Sequence, residues 1–81
     1  MARFVIKNIN FHAQVSPSRY FSKYPISEDA AYLQLFNEQK NLEAKGWAIV
    51  REFNTGLCDG IQMSTIGPDG IEYHTELFVR L

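Results

Sequence analysis

Apolar and polar positions alternate along Ile71 to Leu81. Ile71, Tyr73, Thr75, Leu77, Val79 and Leu81 share one parity; Glu72, His74, Glu76, Phe78 and Arg80 share the other. A two-residue period predicts a half-buried antiparallel strand. Gly67-Pro68-Asp69-Gly70, just before it, predicts a hairpin turn. Pro68 presets φ at its second position and Gly70 takes the left-handed position. Ile61 to Ile66 is then the partner strand, and Asn54 to Gly60 reads as a turn or loop.

The period changes to three and four residues between Ser27 and Lys45. Tyr32, Leu35, Phe36 and Leu42 form the apolar row, with Gln39 as its one polar member and Ala31 and Leu33 widening it. Ser27 suits the N-cap, and Glu28 and Asp29 complement the positive end of the helix dipole. Ile26 is placed to staple onto Ala31. Lys45 falls in the expected last turn and Gly46 is the expected left-handed stop. Trp47, Ile49 and Phe53 then alternate with Ala48 and Val50, the pattern of a strand whose tryptophan folds back on the helix end as a core anchor.

The N-terminal strand signal, residues 3–15, carries a phase slip. Phe4 and Ile6 share one parity; Ile9, Phe11, Ala13 and Val15 share the other. A bulge near Lys7–Asn8 or a bend at Asn8–Asn10 is expected, with His12 on the polar side. The order β-α-β-β-β predicts a single α+β domain over residues 1–81: an antiparallel sheet of about four strands with one helix packed on one face. Ala48, Val50 and Phe78 then leave the second face partly apolar. Either the 16–25 segment or another molecule covers it, so a homodimer or a partner-bound form is expected.

Composition narrows the class. A hydrophobic content of 46% in 81 residues suits a globular core, and no apolar run approaches the length of a membrane span. No secretory signal follows Met1, and the cytoplasm is the expected compartment. The single cysteine excludes an internal disulfide and a cysteine-based zinc site. No cofactor is implied. The net charge of −1 hides a split: residues 1–25 hold Arg3, Lys7, Arg19 and Lys23 and no acid (+4), and residues 26–81 hold four bases and nine acids (−5).

The 16–25 segment, bracketed by Pro17 and Pro25, reads as a loop dense in aromatic and cationic side chains: Arg19, Tyr20, Phe21, Lys23 and Tyr24. That mixture fits a protein-interface hot spot. It also fits stacking and charge contacts with single-stranded nucleic acid, though the net negative charge elsewhere opposes that reading. Glu72, His74 and Glu76 form a second candidate surface on one strand face, with Gln62 and Ser64 as expected cross-strand neighbours. A catalytic alternative pairs Cys58 with His74 as nucleophile and base. No phosphate-binding glycine loop or nucleophile elbow occurs, and the supply of Cys58, His12 and His74 lacks metal-ligand spacing.

Leu42-Glu43-Ala44-Lys45-Gly46-Trp47-Ala48-Ile49-Val50 resembles the helix-Gly-Trp-strand junction of small uncharacterised bacterial and phage domains of β-α-β-β order. The resemblance covers nine residues and implies no functional side chains. The reading from sequence is a small non-enzymatic protein-binding module of the phage or mobile-element inhibitor or regulator type. Its expected anchors are Arg19, Tyr20, Phe21, Lys23, Tyr24, Glu72, His74 and Glu76, with nucleic-acid binding as the first alternative and no membrane contact.

Overall fold

In a computed structural model, which describes residues 1–8, 19–20 and 25–81 and only the backbone of Asn8, Arg19 and Tyr20, the described elements follow in the order β1 (Arg3–Asn8), β2 (Arg19–Tyr20), α1 (Glu28–Ala44), β3 (Ala48–Asn54), β4 (Cys58–Ile66) and β5 (Glu72–Arg80). All the strand pairs are antiparallel, in the spatial order β2-β1-β5-β4-β3. The described residues thus form an α+β fold of four long strands, one short edge strand and one covering helix.

The helix begins as its sequence dictates. Ser27 is the N-cap, and its Oγ accepts from the Ala30 N–H at 3.2 Å. Its end is a complete Schellman motif: the Gly46 N–H donates to the Glu43 carbonyl at 3.1 Å, and the Trp47 N–H to the Leu42 carbonyl at 3.0 Å. Gly46 sits at φ +94°, a conformation that costs residues with a Cβ. Lys45 is the C-cap, one residue beyond the last turn assigned to it from sequence. Trp47 and Leu42 pack together against the core from its rim, so the tryptophan is half-buried at the helix stop rather than central.

The core lies between α1 and one face of the sheet. It holds Ala2, Phe4, Ile6, Ala31, Leu35, Ile61, Met63, Leu77 and Val79, with Ile26, Tyr32, Leu42 and Trp47 around it. Thr75 is buried among them and its hydroxyl donates to the Lys7 carbonyl at 3.3 Å. The helix face is rotated from the predicted row. Ala31 and Leu35 are its buried residues, whereas Phe36 is 54% exposed and Leu33 points to solvent. A small residue at the centre lets the helix approach the sheet closely; Phe36, one step around from Leu35, falls outside the contact.

The strands correct the sequence reading at three places. β1 pairs with β5 in unbroken register from Arg3 to Asn8, so the bulge expected near Lys7–Asn8 does not interrupt it there; Ile9 to Val15, with His12, lie outside the described residues. The fourth begins at Cys58, inside the predicted turn. In β3 the register shifts between Ile49 and Arg51: Ile49 pairs with Met63 on the helix side, whereas Arg51 pairs with Gln62 and Phe53 with Gly60. A bulge turns every later side chain over, so Phe53 faces away from Ile49 rather than with it. The Gly67–Gly70 hairpin forms as predicted, with the Gly70 N–H on the Gly67 carbonyl at 2.9 Å. The Asp69 carboxylate accepts from the Ile71 N–H and from the Tyr73 hydroxyl.

A side-chain bond ties the helix to the sheet. The Tyr32 hydroxyl donates to Asp59 Oδ2 at 2.9 Å. That bond, then burial and the negative charges of Asp59 and Glu28, raise the tyrosine pKa above its ordinary 10.0. The unfolded chain then loses this proton first. The contribution to stability is complete below about pH 10 and is lost as pH rises through the raised pKa. Tyr32→Phe is expected to cost about 1 kcal/mol at neutral pH. Thermal melts at pH 7 and pH 11 check this: the gap between wild type and variant narrows at the higher pH, and a gap that stays constant contradicts the linkage.

Candidate functional site

The sheet face turned away from α1 carries the candidate site. Register places its side chains in rows. One row crosses β1, β5, β4 and β3 as Val5, Phe78, Gly60 and Phe53; the next crosses them as Lys7, Glu76, Gln62 and Arg51. Gly60 leaves a gap between Phe78 and Phe53, whose strands lie on either side of β4. Neighbouring strands are about 4.8 Å apart, yet the two rings close over the glycine to 6.2 Å between centroids, tilted by 58°. A hollow of roughly 280 Å³ opens beside them, lined by Lys7, Arg51, Phe53, Cys58, Glu76 and Phe78 together with Thr55.

Arg51 is the hub. Its guanidinium lies 5.3 Å from the Phe53 ring centroid, its Nη2 is 3.7 Å from Glu76 Oε2, and its Nε donates to Gln62 Oε1 at 2.9 Å. Arginine can only donate, so the Gln62 oxygen faces Arg51 and its amide nitrogen faces His74 Nδ1, at 3.3 Å. His74 Nδ1 then accepts, and the other ring nitrogen donates to Glu72 Oε1 at 3.2 Å. Arg51, Gln62, His74 and Glu72 thus form one directed chain of hydrogen bonds that orients the side chains of three strands. The Arg51–Glu76 pair is partly solvated and adds little stability by itself.

The predicted residues divide into three groups. Glu72, His74 and Glu76 share this face, with Gln62 opposite Glu76 and Ser64 opposite His74 as expected. The backbone of Arg19 and Tyr20 forms β2, paired to Ile6 and Val5. This corrects the reading of 16–25 as a continuous loop: the outer edge of β1 offers unpaired N–H and C=O groups, and two residues are too few to show a period. The side chains of Arg19 and Tyr20, with Phe21, Lys23 and Tyr24, lie outside the described residues. Arg51, Phe53 and Lys7 were missed as site residues. For Phe53 the cause is the bulge, which moves it to this face.

The catalytic alternative is not assembled. Cys58 lies opposite Arg80 at one end of β4, and His74 lies opposite Ser64, six residues further along that strand. At about 3.3 Å per residue that separates thiol and imidazole by about 20 Å. Asp59 does not face Cys58 either; it points to the helix side and holds Tyr32. Among the described residues no three His, Cys, Asp or Glu side chains are grouped to hold a metal ion, and no helix is long and apolar enough to cross a membrane.

The fold defines the class: a small α+β domain with one helix on one face of an antiparallel sheet. No protein-family model, no curated protein and no solved structure matches the chain.

Proposed function

We propose that this chain is a non-enzymatic protein-binding module that acts by covering part of a partner's surface with the sheet face opposite α1. The observation that carries the reading is the Phe53–Phe78 pair closed over Gly60, with Arg51 on the Phe53 ring. Half-buried aromatics joined to an arginine, inside a polar rim, have the chemistry of interface hot spots. The hydrogen-bond chain from Arg51 to Glu72 fixes these side chains in advance, which lowers the entropy cost of docking.

Charge specifies the partner further. Among the described residues this face presents Arg3, Lys7, Arg51 and Arg80 against Glu72 and Glu76. The helix side presents Lys40 and Lys45 against Glu28, Asp29, Glu38, Glu43, Glu52 and Asp59. An acidic protein surface complements the sheet face. Nucleic acid fits less well, since Phe53 and Phe78 already engage each other and Arg51, leaving neither ring as an open stacking platform. The edge of β3 is a weaker candidate, because its bulge and the Arg51–Glu52 charges blunt pairing with another strand.

The test is quantitative capture from a cell lysate by immobilised wild type, by Arg51→Ala/Phe53→Ala, and by Tyr32→Phe as a control away from the face. Each hot-spot truncation costs about 2 kcal/mol or more, so the double variant should lose a stoichiometric partner by well over tenfold while keeping its circular dichroism. Equal recovery on wild type and the double variant defeats the proposal. Recovery of nucleic acid in place of protein selects the alternative.

A further inference from the structure

A second cluster lies at the end of the same sheet face, away from His74. Arg3 and Arg80 stand directly opposite each other across β1 and β5. They line one hollow of about 320 Å³ with Met1, Ala2, Pro25 and Leu81. Like charges in opposed positions destabilise an antiparallel pair. Among the described residues neither guanidinium has an ion-pair partner. Their same-face neighbours Val5, Phe78 and Cys58 are uncharged, and Met1 and Leu81, whose terminal groups carry opposite charges, line the same hollow. Glu76, the next acid along that face of β5, is four residues away, about 13 Å, and is engaged by Arg51.

We propose that this hollow binds a phosphate group, held between Arg3 and Arg80. The planar guanidinium forks match phosphate oxygens in bidentate geometry. A phosphate dianion offsets both positive charges, whereas a single carboxylate leaves one opposed charge uncompensated. The site uses residues outside the Arg51–Phe53–Phe78 cluster and goes beyond the protein-binding reading.

The experiment is a titration with inorganic phosphate at constant ionic strength, followed by NMR on the arginine side-chain Nε–H signals. Wild type, Arg3→Gln, Arg80→Gln and Lys40→Gln are compared, the last as a helix-side control. Saturable shifts of both arginine signals are expected, with affinity lowered about tenfold or more by either arginine substitution and unchanged by Lys40→Gln. Melts supply an independent reading. In chloride alone Arg80→Gln should melt higher than wild type, because the opposed charge is gone; added phosphate should raise the wild-type Tm more than the variant's. A phosphoserine peptide binding more tightly than inorganic phosphate assigns the group to a modified protein, and equal affinity assigns it to a small phosphate ester. Shifts that never saturate, or that persist in the Arg3→Gln/Arg80→Gln double variant, mean an adventitious ion only and overturn the site. No protein partner enters this titration, so its failure is separable from failure of the capture experiment.

Discussion

Gly60→Ala should destabilise the protein by about 3 kcal/mol, at the upper end of ordinary overpacking costs. A Cβ built on Gly60 lies 2.7 Å from Phe78 Cα and closer still to the Leu77 carbonyl oxygen and Phe78 Cβ. These are backbone or backbone-fixed atoms of the adjoining strand, so relief requires β4 and β5 to move apart. The sign makes the test sharp. Glycine in an open strand gains about 0.4–1 kcal/mol on conversion to alanine, through the entropy of the unfolded chain. Urea denaturation showing a more stable Gly60→Ala would contradict the close approach. The same substitution should spoil partner capture, because Phe78 cannot shift without opening its contact with Phe53.

Phe4→Ala should cost about 3–5 kcal/mol. Phe4 is 1% exposed, pairs with Val79, and fills the layer between sheet and helix. At about 0.05–0.15 kcal/mol per residue, a chain of this length has about 4–12 kcal/mol of stability, so the variant stands close to half-unfolded at the lower bound. Phe36→Ala is the matched comparison. At 54% exposure it should change stability by no more than about 0.5 kcal/mol. Similar losses from the two phenylalanines, measured by the same denaturation, would contradict the packing described for α1.

The contrast between those two residues shows how far the sequence was legible. Local signals with a single physical cause were read well: the Ser27 cap, the Gly46 stop, the Gly67–Gly70 hairpin, and the alternation that buries Thr75, Leu77 and Val79. The α+β class with antiparallel strands and one helix followed from them. The helix face was misjudged because Tyr32, Leu35 and Phe36 offer overlapping apolar stripes, and a close approach at Ala31 has no hydrophobic signature. The candidate site was half legible. Glu72, His74 and Glu76 emerged from period two, with their cross-strand neighbours. Arg51 and Phe53 did not, because a single extra residue in β3 inverts the parity on which face assignment depends.

The pairing of β1 with β5 shapes how the molecule folds. Arg3 meets Arg80 and Asn8 meets Thr75, so every rung between these strands closes a loop of most of the chain, whereas the β4–β5 hairpin joins Ile66 to Glu72 across a tight turn. Closure entropy grows with loop length, and distant pairings are made late. The β3-β4-β5 meander is then the early unit, onto which β1 docks in the last step. On that order Phe4→Ala speeds unfolding and leaves the refolding rate nearly unchanged. A chevron whose folding arm drops instead would place β1 in the nucleus.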